Sequence, residues 1–223
     1  MAWLAPSLRA WRDRDREPGL SVLLALELLV LFVVMPLDAI GILISWITDT
    51  AIVLAILAAT VVVSRHRTAV AAMVAGAASW MRGLSPAVLS ISLRFLAILT
   101  YIATLMIVVG SAVFAPGRIT VHRVQGAVVL FVKLAMFFAC AARLLAILSP
   151  GSYSPESGPG AIMEGTRAIY FSIVTLTSTG YGDIVPVHPI ARALANLEAL
   201  IGQLFPATLL ARLVTMELAT RER

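Results

Sequence analysis

Long apolar stretches separated by short polar breaks dominate the pattern of this chain. A helix of about 20 mostly apolar residues is long enough to cross a lipid bilayer. The pattern predicts six such helices, at residues 20–36, 41–63, 67–83, 87–114, 122–148 and 190–217. The predicted fold class is therefore an all-α membrane protein with six transmembrane helices.

The boundaries of the first three predicted helices need further argument. The apolar run over residues 20–63 is too long for one crossing. It is divided in two because Pro36, Asp38 and Gly41 interrupt it. Residues 67–83 are short, rich in alanine and bounded by arginine, so that either a spanning helix or a helix lying on the membrane surface fits the pattern.

The arginines favour one orientation of the six helices. Positive charge in short loops prefers the cytoplasmic side of a membrane. With six crossings, all four arginine clusters fall on that side, at residues 9–16, 65–67, 118–123 and 212–223. The opposite loop, residues 149–160, contains no lysine or arginine. We therefore expect both termini to be cytoplasmic, with residues 1–19 as a cytoplasmic N-terminal segment.

Composition supports the membrane setting and excludes several functions. Hydrophobic residues make up 60% of the chain and charged residues 13%, against about 25% charged in soluble domains. The apolar run that starts at residue 20 follows a charged stretch over residues 9–17, begins too far into the chain and has no small-residue cleavage site, so a secretory signal peptide is not predicted. The net charge of +5 is explained by contact with anionic lipid headgroups. No motif supports nucleic-acid binding, metal ligation or catalysis, and the low lysine count and short loops favour a bacterial plasma membrane.

A glycine-containing string, Thr175-Leu-Thr-Ser-Thr-Gly-Tyr-Gly-Asp183, lies between the last two predicted helices. A short apolar run before it predicts a helix of about three turns, and Pro186 and Pro189 separate it from the last helix. Gly180 and Gly182 can adopt φ values that turn successive backbone carbonyls toward one axis. The sequence therefore predicts a re-entrant pore helix followed by a ring of oxygens that binds dehydrated cations.

This string resembles the selectivity filter of the tetrameric potassium channel superfamily, and the resemblance extends over about the last hundred residues. It implies a pore domain at 116–223, consisting of an outer helix, a pore helix, the filter and an inner helix. It also implies K⁺ sites at the filter carbonyls and at one hydroxyl, that of Ser178. The implied filter residues are Ser178, Thr179, Gly180, Tyr181 and Gly182, with K⁺ at the first four and with Asp183 as a charged ring at the outer mouth.

Further roles follow from the same resemblance. In that family an inner-helix glycine, taken as a gating hinge, lies twenty residues after the second filter glycine. Gly202 follows Gly182 by the same distance, since 202 − 182 = 20. Gly202 and Pro206 are therefore the hinge candidates, although Gly202 could instead allow close helix packing. Aromatic residues of the pore helix brace the filter in the family, which implies that role for Tyr170 and Phe171. Tyr181 is expected to pack outward and hold the ring open.

Two intramembrane charges, Lys133 and Glu198, allow two interpretations. They could pair with each other between the outer and inner helices. Alternatively, Lys133 reaches toward the membrane surface while Glu198 forms a hydrogen bond behind the filter and supports it. Both interpretations remain open from the sequence alone.

Residues 20–115 resemble a voltage-sensor domain in the number of helices only. Moving one charge through the membrane field yields about 2.3 kcal/mol per 100 mV, so that a sensor needs several arginines. The predicted fourth helix carries one, Arg94, which could pair with Glu27 or Asp49. We therefore expect a four-helix sensor-like or scaffold domain with weak voltage dependence or none.

The sequence predicts a subunit of a potassium-selective channel that is not an enzyme and holds no cofactor apart from bound K⁺. Because one chain carries one filter string, a four-fold ring requires a homotetramer. Ser178 and Thr179 stand where the family usually has Thr-Val, which leaves the degree of selectivity open. A non-selective cation channel and a non-conducting or regulatory subunit of a potassium transporter are the alternatives.

Overall fold

The computed structural model describes residues 17–40, 88–114, 121–154, 163 and 165–221, and these are mostly helical, as predicted. The helices are α1 Glu17–Leu29, a π-helical turn Val30–Val34, α2 Met35–Ala39, α3 Val88–Val113, α4 Val121–Leu148, α5 Gly165–Leu176 and α6 Pro189–Arg221. Two short strands accompany them, β1 Tyr153–Ser154 and β2 Val185–Pro186. The predicted N-terminal segment 1–19 lies largely outside the described residues, and the predicted helices at 41–63 and 67–83 lie entirely outside them.

Two helices of the described part are long and apolar enough to cross a membrane. They are Arg123–Leu148 within α4 and Pro189–Arg212 within α6. Shorter apolar helical stretches cover Leu24–Leu37 and Ile98–Ser111. These four stretches lie within the predicted first, fourth, fifth and sixth helices, or extend beyond them by one residue.

The first helical region continues past the proline at which it was predicted to end. Met35 donates its backbone N–H to the Val30 carbonyl, which closes a π-helical turn, and the helix then runs through Pro36 to Ala39. Proline has no N–H, and its ring clashes with the preceding turn of a regular α-helix. The wider π turn directly before Pro36 accounts for the continuation, because such turns locally relax the helical hydrogen-bond ladder.

Helix α4 is the central element of the described fold, since α1, α3, α5 and α6 all pack against it. The α3–α4 contact is an apolar cluster in which one α4 member, Ala127, is small. Its buried members are Leu105, Val109, Val113, Ala127, Val129 and Leu130. Small residues at helix contacts are common in membrane proteins, because they allow helix backbones to approach each other.

The two strands connect the end of α4 to the segment before α6. They pair in antiparallel fashion, with Tyr153 opposite Pro186. Beside them, the Val187 N–H donates a 2.8 Å hydrogen bond to the Ser152 carbonyl. This pairing fixes the chain on the far side of the glycine-containing string, while α5 fixes the near side.

Candidate functional site

The candidate site is the irregular segment of residues 177–184, which follows α5. Its first turn is hydrogen-bonded to the end of that helix: the Ser178 N–H donates to the Thr175 carbonyl (3.0 Å) and the Thr179 N–H to the Val174 carbonyl (2.9 Å). The last carbonyls of a helix have no partner within it. These bonds satisfy them and fix the direction in which the segment leaves α5.

The backbone of this segment has positive φ at every second residue. The values are 55° at Ser178, 59° at Gly180 and 81° at Gly182. A Cβ added to either glycine would meet no atom within 4 Å, so the backbone conformation rather than space favours glycine there. The positive φ at both glycines is the geometry expected for a string that turns successive carbonyls in one direction.

Ser178 is a non-glycine residue in the left-handed region, which costs roughly 1–2 kcal/mol. Gln203 of α6 donates its side-chain amide to the Ser178 hydroxyl at 2.8 Å, which helps to hold that conformation. Sequence reasoning missed Gln203. The available signal was an uncharged polar residue in an apolar helix, beside Gly202, because polar groups in a membrane-spanning helix are expensive and often functional.

Thr179 has a polar partner for the oxygen that distinguishes it from valine. Its hydroxyl lies 2.8 Å from the hydroxyl of Thr177. Thr177 donates its own proton to the Ile173 carbonyl at 2.7 Å, so Thr179 is the donor between the two threonines. Thr177 was not singled out from the sequence, and it shows how the replacement of valine by threonine is accommodated.

The two aromatic residues predicted to brace the filter lie in different places. The Tyr170 ring is stacked parallel to the Tyr181 ring, with centroids 6.4 Å apart, and the Asp183 carboxylate is near enough to act on the Tyr170 phenol electrostatically. Phe171 is buried and contacts the Tyr153 ring edge-on at 5.2 Å. Burial raises the pKa of Tyr153 to about 12, so this phenol is neutral at physiological pH. Tyr170 therefore touches the string directly, whereas Phe171 fixes α5 to β1.

Glu198 of α6 is fully buried, and its carboxyl group is hydrogen-bonded to the Ser172 hydroxyl of α5. The same hydroxyl is 2.6 Å from the Ala135 carbonyl. A hydroxyl has one proton and a carbonyl oxygen can only accept, so both contacts are hydrogen bonds at once only when Glu198 is protonated and donates to Ser172. The three residues connect α6, α5 and α4.

Lys133 forms a buried ion pair with Glu27, with Nζ and Oε1 2.7 Å apart. This corrects both sequence-based alternatives for Lys133, which neither pairs with Glu198 nor reaches the membrane surface. The Arg94 side chain, suggested from the sequence as a partner of Glu27, lies outside the described residues. Charges in an apolar interior must be paired, and the nearest opposite charge is on α1. The pair fastens α1 to α4.

Gly202 lies where α6 crosses the end of α5. A Cβ at this position would be 1.8 Å from the Leu176 carbonyl oxygen, so only glycine fits. Helix α6 also contains Pro206, four residues further on, which cannot donate to the Gly202 carbonyl. Close packing, the alternative considered for Gly202, is therefore present in the structure, and the missing hydrogen bond adds a weak point to the helix at the same level.

A short helix, an irregular glycine-containing segment and two flanking long apolar helices together define the pore-loop channel class. Within the described residues, no group of three or more histidine, cysteine or acidic side chains is arranged to hold a metal ion.

Comparison with known proteins agrees with this class. A family model described as "Ion channel" matches residues 152–218. The chain is 40% identical over 27% of its length to an inward rectifier potassium channel, Kirbac3.1, of Paramagnetospirillum magnetotacticum, covering 19% of that protein. It is 37% identical over 41% of its length to two pore potassium channel c of Oryza sativa subsp. japonica, covering 20% of it. It is 42% identical over 27% of its length to Protein LctB of Geobacillus stearothermophilus, covering 46% of that protein.

The matched region is similar to pore-loop channels of the potassium channel superfamily. The chain covers less than half of the length of each of these three relatives. No solved structure matches the chain.

Proposed function

We propose that this chain is one subunit of a homotetrameric, potassium-selective channel that passes K⁺ passively across a membrane. The observation that carries the proposal is the backbone of residues 177–183, which is exposed and has positive φ at alternate positions. Carbonyls turned in one direction replace the hydration shell of a cation when several copies surround one axis. The potassium channels among the relatives support K⁺ as the ion.

The surface that one copy leaves exposed supports the proposed tetramer. Backbone polar groups in a membrane must be satisfied by protein or by a water-filled pore, and residues 177–183 are all exposed in a single chain. Large apolar side chains beside it are exposed too, including Tyr181 at 71% and Leu197, Leu200 and Leu204 on α6. Further copies around a four-fold axis cover these side chains and close the ring of oxygens.

The ion sites in this proposal are the carbonyls of Ser178, Thr179, Gly180 and Tyr181, together with the Ser178 hydroxyl. That hydroxyl has two lone pairs. Gln203 occupies one of them, which leaves the other for the innermost K⁺. Four copies of Asp183 concentrate cations at the outer mouth.

The remaining parts have supporting roles. In the proposed division, residues 1–19 are cytoplasmic, 20–115 form a scaffold domain with weak or no voltage sensing, and 116–223 form the pore domain. Both termini lie in the cytoplasm, and the membrane is a bacterial plasma membrane. Gly202 and Pro206 form the hinge of the inner helix, since the carbonyl of the first lacks the helical partner that the second would supply.

Ion flux into liposomes tests the proposal. Liposomes containing the purified chain should take up K⁺ faster than Na⁺, and Gly180→Ala should abolish the difference, because alanine is strained at φ 59°. Gly151→Ala is the matched control, since Gly151 also has positive φ, at 85°, but lies outside the string.

Equal rates for the two ions would favour the non-selective cation channel, for which Ser178 and Thr179 in place of Thr-Val are the specific observation. Absence of flux from assembled oligomers would favour a non-conducting or regulatory subunit. Loss of selectivity in both alanine variants would mean that the string has no special role.

A further inference from the structure

A cavity of about 200 Å³ lies between α1, α3, α4 and the first residues of α5. Its described lining is apolar except for Glu27, Lys133, Cys140 and Arg143, and it includes no residue of the irregular segment 177–184. Val30 and Leu31 of the π-helical turn form part of one wall. Turns of this kind occur frequently at functional sites. Because no residue of the segment 177–184 lines the cavity, it is separate from the proposed ion path.

The charged groups of the cavity leave one cation over. Glu27 and Lys133 neutralise each other at 2.7 Å. Arg143 has a buried Nε without a hydrogen-bond partner, and no carboxylate of the described residues pairs with it. Its guanidinium lies 5.4 Å from the centroid of the Phe95 ring. An unpaired cation against apolar walls is expensive, and an anionic group removes most of that penalty.

The arrangement along α4 fits an amphiphile. Arg143 lies five residues before the end of α4 at Leu148, about 7.5 Å along the helix axis. Lys133 lies ten residues deeper, about 15 Å from Arg143, which is about half of the hydrocarbon thickness of a bilayer. The cavity therefore has a cation near one membrane surface and apolar walls that extend toward the midplane.

Gly165, the first residue of α5, gives the guanidinium room. A Cβ there would lie 3.1 Å from Nη1 of Arg143, closer than ordinary van der Waals contact. Ala168 and Ile169 of the same helix also line the cavity. A molecule bound there contacts α5, the helix that ends at the string.

We propose that this cavity binds one acyl chain of an anionic phospholipid, whose phosphate pairs with Arg143. Charge complementarity favours an anionic over a zwitterionic lipid, because Arg143 is the one described wall charge that no other wall charge balances. The chain extends along the apolar walls toward Lys133.

Lipid retention by the full-length chain, purified in detergent, tests this site. Native mass spectrometry should count more dioleoyl phosphatidylglycerol than dioleoyl phosphatidylcholine bound per subunit. Arg143→Gln should weaken phosphatidylglycerol binding at least about tenfold, as expected for the loss of a charge-assisted contact. Arg192→Gln is the matched control, with the same charge change at the start of α6, where the Arg192 Nε donates to the Pro186 carbonyl, and it should bind as the wild type does.

Val132→Trp provides a second variant, since it fills the cavity without changing its charge. It should reduce phosphatidylglycerol binding while Arg143 remains in place. Phosphatidylglycerol should also raise the melting temperature of the wild-type protein more than that of Arg143→Gln. Equal retention of both lipids, or equal binding by Arg143→Gln and Arg192→Gln, overturns the proposal. Neither readout requires conduction, so the result is independent of the proposed function.

Discussion

At the scale of single residues, two helical glycines differ in what a side chain would meet. A methyl group at Gly202 would overlap the Leu176 carbonyl oxygen at 1.8 Å, whereas at Gly110 it would lie 3.8 Å from Leu130 Cδ2. The first contact requires backbone to move, and the second is ordinary van der Waals packing. The two positions therefore form a matched pair for alanine substitution.

We expect Gly202→Ala to destabilise the protein by at least about 3 kcal/mol, the upper end of the usual overpacking range, because α6 must shift away from α5. Gly110→Ala should be neutral or stabilising by up to about 1 kcal/mol, since alanine is the better helix former. Thermal unfolding and the oligomeric fraction in size-exclusion chromatography measure both. Equal stability of the two variants would contradict the close helix crossing.

Glu198 is the second residue whose surroundings lead to a specific expectation. A glutamine can donate its amide N–H to the Ser172 hydroxyl as a protonated carboxyl group does, so Glu198→Gln should change the melting temperature little. Glu198→Leu removes the donor and should cost about 1–3 kcal/mol. If the glutamine variant is as unstable as the leucine variant, then Glu198 acts as a carboxylate and the hydrogen-bond assignment is wrong.

The contacts between residues that are far apart in the sequence were the part of the site that the sequence predicted least well. The glycines of the string could be found because their chemistry is local: positive φ is a property of one residue. Lys133 and Glu27 are 106 positions apart, and Gln203 and Ser178 are 25 apart. Their pairing depends on which helix faces lie together, and one sequence contains no direct signal for that.

At the scale of elements, the apolar pattern located helices well and helix ends less well. The predicted helix 122–148 agrees with α4, Val121–Leu148, within one residue. The predicted helix 190–217 stops four residues before the end of α6 at Arg221. Hydropathy detects the part of a helix that fits the bilayer, and it does not detect a continuation of the helix beyond that part.

The ion pair between α1 and α4 gives the element-scale prediction. Lys133→Met alone leaves Glu27 buried and unpaired, which should cost about 3–5 kcal/mol, and Glu27→Leu alone should do the same to Lys133. The double variant should recover most of the loss, since no buried charge remains. A double-mutant cycle of melting temperatures in detergent measures the coupling. Additive effects of the two single changes would mean that the pair does not fasten the helices together.

At the scale of the whole molecule, the proposed ion-binding structure needs more than one copy of the chain. Residues 177–183 and one face of α6 are exposed together, and in the proposed tetramer one copy supplies only part of an ion's coordination shell. Assembly and ion binding should therefore be linked: an ion that binds only the assembled ring stabilises the assembly by mass action.

We expect the proposed tetramer to melt at a higher temperature in K⁺ than in Na⁺. At a K⁺ concentration about 100 times its dissociation constant, the stabilisation is about 2.7 kcal/mol. Gly180→Ala should remove the difference between the two ions, because it disturbs the carbonyls, whereas Gly151→Ala should keep it. Measurement at constant ionic strength with an added choline salt separates ion binding from screening. If K⁺ and Na⁺ stabilise the assembly equally above choline, the ring binds cations without discrimination, and the replacement of Thr-Val by Ser178-Thr179 becomes the physical explanation for a non-selective pore.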